Sequence, residues 1–572
     1  MTVQPTPRAV VLAVSVTLRH VADDPVRALT LAWRALPAPM RRWVRLAGPY
    51  GRAAALWGAG DRRAALTALE GRPARLAAFS LAVDQPQVAR SAVARLPERS
   101  GARPRLAARL AYREGRLTAA IRALDGARGW RAARLRRWLQ AETDMLEPDR
   151  LHIPELPGAG NGRPGTILHI VTDAVPSTSA GYTIRTQEIA VAQRAADGAP
   201  RLDPHVVTRI GFPVTAGAID GRRLVTVDGI PYHRLLPWVM PGRADTIAAD
   251  GLRHAARLVT AVRPSVLHAA SNYSNALIAL ALRDATQLPV LYEVRGFWED
   301  TWLSRHSAGA TSDLRHSDRY VRSRALETHC MQAADLVVTL GEAMRDEITE
   351  RGIDPANILI VPNGVSQQFL QPLPDPTALK SQLGIKDGEH VVGLVSSLVA
   401  HEGIGTLLAA VKILGDRGVR TRALIVGDGP ERGTLQRHAA QLGLDAIFTG
   451  RVPMAKVRDY HAVLDVFVVP RTPDRVCQLV TPLKPVEAMA SGLPVVVSGV
   501  RALGEIVRDK VTGLLFPPLD AEALADALQL LLGNPGLRRE LGANAKQWVA
   551  RDRTWEHNAA RYRDAYARLG AL

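Results

Sequence analysis

From residue 166 onward, short apolar runs alternate with longer stretches whose apolar positions recur every three or four residues. The runs ILHIVTD, HVVTRI, SVLHAA, PVLYEV and DLVVTL read as buried strands, each followed by a helical stretch. A proline-rich break at 371–377, QPLPDPT, precedes a second series: HVVGLVSSL, RALIVGDG, AIFTGRV, DVFVVP, LPVVVS and TGLLF. Such alternation predicts parallel sheets with helices on both faces, so the expected fold class is α/β. Two units in series predict two facing Rossmann-like domains. The ligand then sits at the carboxyl ends of the strands, in the cleft between them.

Residues 1–150 read differently. They are rich in Ala, Leu and Arg, with helical spacing and no period-two alternation, which predicts an all-α extension. Two stretches there resemble each other: LWGAGDRRAALTAL at 56–69 and AYREGRLTAAIRAL at 111–124. Each carries an aromatic residue, a glycine three positions later, then a small pair. That fits a helical-hairpin repeat, and equally an irregular bundle. The Pro/Gly stretch PELPGAGNGRPG at 154–165 reads as a linker. Its glycines precede a strand rather than follow one, so they are no dinucleotide fingerprint. The expected division is an extension at 1–150, a linker at 151–165, and domains at 166–375 and 376–552, with a terminal helix at 553–572.

Composition adds a charge asymmetry. The 572 residues carry a net charge of +18. Residues 1–150 hold 27 Arg, no Lys and 12 acidic residues, so nearly all the excess lies in the extension. A basic face attracts anionic lipid, an acidic protein partner or nucleic acid, while Arg on solvated helix faces gives the same count. No nucleic-acid motif accompanies the charge. The segment 31–46, LAWRALPAPMRRWVRL, mixes Trp33 and Trp43 with Arg and suits either a membrane interface or a packed helix pair. No apolar run reaches 18 residues, so no membrane span is expected. The run at 9–16 lacks a basic start and a cleavage site, so no export signal is expected. Cys330 and Cys477 cannot build a disulfide framework or a four-ligand zinc site, and they fit a reducing compartment. The expected location is cytoplasmic, or peripheral at the inner face of the cell membrane.

The second series resembles the nucleotide-binding half of the retaining glycosyltransferases of family 4, which have the GT-B fold. Six pieces carry the resemblance in order: VGLVSSLVAHEGIGTLLAA, IVGDGPE, FTGRVP, DVFVVP, TPLKPVEAMASGLPVVVS and GEIVRDKVTGLLFPPLD. In the first series GYTIRTQEIA, HAASNYSNAL, YEVRGFWED, ADLVVTLGEAM and VPNGV resemble the acceptor-side half, most closely that of bacterial exopolysaccharide or cell-envelope members. The terminal RTWEHNAARYRDAY resembles the helix that crosses back onto the first domain in this fold. The extension takes no part in the resemblance.

A nucleotide-sugar donor loses its diphosphate, so the enzyme must bind that growing negative charge. TPLKPVEAMASG offers a helix start with Pro485 in its first turn, the Leu483 and Lys484 amides, and the Lys484 ammonium. Glu487 resembles the carboxylate that accepts both ribose hydroxyls, although a Glu at a helix start also suits the dipole. The resemblance further places Gly181, Ser397, Gly427, Arg451, Pro453 and Thr481 against the donor. It implies that the Gly181 loop closes on the phosphates with Arg185 one turn in. It aligns Arg295 with a family histidine that contacts sugar or acceptor. Glu293, Arg295 and Glu299 read as a charged cluster at a strand end, either a site or a structural ion pair. Arg471, Lys484, Arg295 and Glu293 are the candidate catalytic groups, and His268, Glu299, His401 and Arg185 are candidate acceptor or sugar contacts.

The departures are specific. The family commonly has two Glu separated by seven residues, and here Leu479 stands where the first belongs. Ser397 and Glu402 stand where an Arg and a Lys usually clamp the diphosphate. Lys484 and Arg471 are then the remaining cations. No HExxH and no loop DxD pair is present, so neither a metal nor another cofactor is expected beyond the donor co-substrate. The leading expectation is a hexosyltransferase acting on an envelope polysaccharide, glycolipid or similar acceptor. The alternative is a helical adaptor fused to a weakly active or inactive transferase fold in an assembly complex.

Overall fold

The computed structural model describes residues 4–156, 158, 160–306 and 311–572. Positions 157 and 159 of the expected linker lie outside the described residues.

The first sheet has eight strands: β1 (Thr166–Val171), β2 (Asp203–Thr208), β3 (Leu224–Val227), β4 (Ile230–His233), β5 (Val266–Ala270), β6 (Val290–Val294), β7 (Leu336–Thr339) and β8 (Ile358–Ile360). Their order is β3-β4-β2-β1-β5-β6-β7-β8. All neighbours are parallel except the β3–β4 hairpin. Both faces are covered, which is why the strands are apolar throughout. On one face Leu168, Leu267 and Tyr292 pack with the helix Ala244–Val262. On the other, Ile167, Val266 and Leu291 pack with Ile189, Tyr562 and Tyr566. The tyrosines belong to Trp555–Arg568, so the chain's last helix completes the first domain.

The second sheet has six parallel strands: β9 (His390–Val395), β10 (Thr421–Val426), β11 (Ile447–Gly450), β12 (Val466–Val469), β13 (Val495–Ser498) and β14 (Leu514–Phe516). Their order is β11-β10-β9-β12-β13-β14. The winding reverses between β9 and β12, and in the first sheet between β1 and β5. Each reversal opens a crevice beyond the strand ends, where such sheets take ligands.

The extension is all helical, from Pro7–Asp23 to Trp130–Asp144. The two similar stretches adopt the same form: a helix, a turn at Gly60 or Gly115, then the short helices Arg62–Thr67 and Leu117–Arg122. The extension is docked on the first domain. Gly115 O accepts from Arg319 N at 3.0 Å, and Asp318 accepts from Thr118 N at 2.6 Å. Ala9 and Leu12 enter the first domain's core. Among the described residues no helix is long and apolar enough to cross a membrane.

Candidate functional site

The loops after β9 and β12 meet at the second reversal point. Two glycines let the β9 loop approach its neighbours, Gly403 toward the β12 loop and Gly427 from the end of β10. Gly403 has φ +65°, and a Cβ there would stand 1.9 Å from Pro470 O. Gly427, at φ +136°, would bring a Cβ within 1.7 Å of Ser396 O. Only a residue without a side chain fits either place.

Between these loops lies a small charged cluster. Lys484 Nζ donates to Ser396 Oγ and stands 3.5 Å from Glu402 Oε1. Arg471 donates to the same Glu402 oxygen at 3.0 Å and to Val480 O at 3.0 Å. Burial raises the Glu402 pKa, but Arg471 and Lys484 outweigh it and hold the carboxyl well below the usual carboxylate range. Burial lowers the Lys484 pKa, with Glu402 opposing that shift. The carboxylate at the position of the family's clamping lysine therefore fixes the two remaining cations. Arg471 is buried with two of its nitrogens engaged by protein, so it positions the cluster. Lys484 is partly open to the cleft.

Across the cleft, a Cβ on Gly181 would lie 3.5 Å from Leu483 Cδ1. The Gly181 loop and the Lys484 helix thus face each other. That helix, Lys484–Ala490, has only seven residues, so the ammonium matters more here than the helix dipole. Glu487 lies one turn on, in a cavity of about 170 Å³ shared with Glu188, Asp228, Ser366, Met454 and Leu483. Burial pushes the Glu487 carboxyl up to about 7, Lys484 opposes this, and Glu188 adds to it. Glu188 is also pushed up to about 7 by burial, Asp228 and Glu556. Thr481 is buried, with its carbonyl accepting from Asn363 Nδ2 at 2.8 Å. Ser397, Arg451 and Pro453 are exposed, and Gly427 stands at the end of β10. His401 is half-buried, and burial lowers its pKa.

The proposed acceptor groups are placed otherwise. His268 and Arg185 are buried, and so is Glu293, the candidate catalytic carboxylate they pair with. Glu293 accepts from Arg185 Nε at 2.6 Å, Arg295 Nη2 at 2.7 Å and His268 Nε2 at 3.0 Å. Burial raises the Glu293 pKa, but Arg295, Arg185 and His268 reverse it and hold the carboxyl well below its usual value. Arg185 also donates to Val361 O, Pro362 O and Tyr562 OH. A chain of hydrogen bonds then runs from Tyr566 OH, donating to His268 Nδ1 at 2.8 Å, back to Gln193 and His169. Arg295 links this network to the cleft, donating to Tyr182 O at 2.8 Å. The cluster positions the Gly181 loop.

Glu299 is not part of that cluster, contrary to the expected grouping with Glu293 and Arg295. It pairs with Arg351 at 2.8 Å, and the Arg351 guanidinium lies 3.9 Å over the Phe297 ring. Leu479 packs into the first domain's core rather than facing the cleft. Restoring the family's carboxylate by Leu479→Glu is therefore expected to cost on the order of 3 kcal/mol of stability, read by urea denaturation, and to give no gain in activity. The residues missed by sequence reasoning are Glu188, Asp228 and Ser396. The available signal was Glu188 itself, an acidic residue in the otherwise apolar run EIAVA just past the Gly181 loop. Among the described residues no group of three or more His, Cys, Asp or Glu is arranged to hold a metal ion.

Two family profiles match the chain. "Glycosyl transferase 4-like domain" covers residues 180–364 and "Glycosyl transferases group 1" covers 375–548, and neither reaches the extension. A D-inositol 3-phosphate glycosyltransferase of Nocardia farcinica is 31% identical over 318 residues, 50% of this chain and 68% of that protein. A GDP-mannose-dependent phosphatidylinositol monomannoside mannosyltransferase of Mycolicibacterium smegmatis is 31% identical over 233 residues, 40% of this chain and 61% of that protein's length. Among solved structures, sucrose-phosphate synthase from Thermosynechococcus elongatus superposes with TM-score 0.57 at 20% identity, over 71% of this chain and 99% of that one. Anabaena HepE in complex with UDP and glucose superposes with TM-score 0.54 at 18% identity, over 71% of this chain and 100% of that one.

Proposed function

As a member of family 4 of the glycosyltransferases, with the GT-B fold, this chain is an enzyme, and we propose that it moves a hexosyl group from a nucleoside diphosphate sugar to a carbohydrate or glycolipid acceptor, with retention and without a metal ion. In that reaction the bond from the anomeric carbon to the diphosphate oxygen breaks. The acceptor hydroxyl forms the new glycosidic bond and loses its proton. Lys484 meets the departing diphosphate, Gly181 lets backbone approach it from the other side, and Glu487 accepts the ribose hydroxyls. The observation that carries this reading is the Lys484–Ser396–Glu402–Arg471 cluster at the reversal point of the second sheet, directly opposite the Gly181 loop. The names of the relatives add GDP-mannose and UDP as donor chemistries to try.

The test is a panel of UDP-, GDP- and ADP-sugars, followed by ligand-observed NMR on wild type and Glu487→Ala. One donor is expected to bind, to hydrolyse slowly with the anomer retained, and to lose affinity in the variant. A second reading, a helical adaptor on a weakly active transferase fold, is favoured by Glu402 engaging both cations. Absence of binding by every nucleotide at high concentration establishes that second reading instead.

The raised Glu487 pKa gives a pH signature. Only the ionised carboxylate accepts both ribose hydroxyls fully, so donor affinity is expected to rise between about pH 6 and about pH 8. A nucleotide sugar suits the titration because its diphosphate diester does not itself ionise in that window. Glu487→Gln is expected to bind more weakly and to flatten the profile.

A further inference from the structure

The first helix of the extension, Pro7–Asp23, is apolar on two opposite sides. One side, with Ala9 and Leu12 buried and Ala13 and Val16 packed beside them, joins the first domain's core. At about 100° per residue, Val10, Val11, Val14, Leu18 and Val21 fall within a single arc of about 100° on the other side. All five are exposed, Leu18 at 64%. The stripe does not end at the helix. Arg8 Nη1 donates to Leu236 O at 3.2 Å, Arg19 donates to Met240 O, and the Arg8 guanidinium lies 4.7 Å over the Trp238 ring. Those contacts fix the 236–240 loop alongside, and its Trp238 and Val239 are 52% and 59% exposed.

We propose that this face, the outer stripe of Pro7–Asp23 with Trp238 and Val239, seats the enzyme on an anionic lipid bilayer. Three observations choose the occupant. Residues 1–46 carry seven Arg, no Lys and two acidic residues, so the segment that bears the apolar stripe has an excess of positive charge that matches anionic headgroups. A symmetric pairing of two copies through the same stripe brings those like charges together, which disfavours self-association. The position also fits. β2 and β4 run parallel to β1, so the 209–217 and 234–240 segments leave the sheet at its carboxyl edge, the edge that carries the Gly181 loop. Membrane and cleft thus share one side of the first domain. This rests on the transferase reading, and it narrows the acceptor to one whose sugar is held on a lipid. Sequence pattern singled out 31–46 as either a membrane interface or a packed helix pair, and there Trp33 is buried while Trp43 and Leu46 are exposed.

The test is co-sedimentation of the full chain with vesicles of phosphatidylcholine alone and of equimolar phosphatidylcholine and phosphatidylglycerol. Wild type is expected to partition at least about tenfold more strongly onto the anionic vesicles, with the difference shrinking in high salt. Val14→Glu/Leu18→Glu is expected to abolish that binding, and Trp238→Ala to weaken it. These positions are exposed, so thermal unfolding and nucleotide binding measured in solution should stay at wild-type values. That second readout separates a failed membrane site from a failed transferase reading. Equal sedimentation of wild type and the double variant overturns the proposal, and so does concentration-dependent dimerisation of wild type that the double variant loses.

Discussion

Lys484→Ala is expected to lower kcat for donor cleavage by about 10²–10³-fold, with a smaller change in KM. Charge on the diphosphate grows as the glycosidic bond breaks, so a cation fixed beside it stabilises the transition state more than the ground state. Lys484 is held in place before the donor arrives: its ammonium donates to Ser396 and faces Glu402, which Arg471 anchors from behind. The loss has a second component. Removing the ammonium leaves Glu402 facing the incoming anion with one cation fewer. The double variant Lys484→Ala/Glu402→Gln should therefore recover part of the lost rate, because the two residues act as a unit. Arginine at 484 should not substitute, since its planar fork does not fit a shell built around a point charge. Steady-state nucleotide release from wild type and the three variants measures each term.

The second large effect is on stability. Glu293→Ala is expected to cost about 3–5 kcal/mol, because it leaves Arg185 and Arg295 buried without their shared carboxylate. Urea denaturation measures it. Glu293→Gln, which keeps the shape and removes the charge, should fall between wild type and alanine. A role in chemistry predicts the reverse pattern: stable variants with lost turnover. If Glu293 only positions the Gly181 loop through Arg295, the folded variants should bind donor within a few-fold of wild type, with a looser loop.

These expectations mark where the sequence was readable. The alternation of apolar runs and helical stretches located most strands of both sheets, because strands buried on both faces must be apolar throughout. Hairpin strands β3 and β4 escaped notice since LVTV and IPYH are four residues each, too short to show a period. β8 escaped because three residues show no period. At the site, TPLKPVE pointed to Lys484 through its helix-start signals and to Glu487 through the resemblance to the family. Glu402 was read as a lost clamp, because nothing local tells that its partners are Arg471 and Lys484, far along the chain. Glu293 and Arg185 illustrate the same limit. Charge at a strand end suggests a site, but burial depends on Tyr562 and Tyr566, which come from the far end of the chain.

The last helix has a consequence for biosynthesis. Tyr562 and Tyr566 close one face of the first sheet, and Ala571 O accepts from Gly165 N at 2.9 Å beside the start of β1. The domain translated earlier is thus completed by a segment translated after the second domain. While the ribosome makes the second domain, the first waits with an uncovered apolar face and with Arg185 lacking one of its partners, a species that invites chaperones and proteases. A premature stop just upstream of Trp555 then unsettles the first domain, because it removes the helix that closes that domain's sheet.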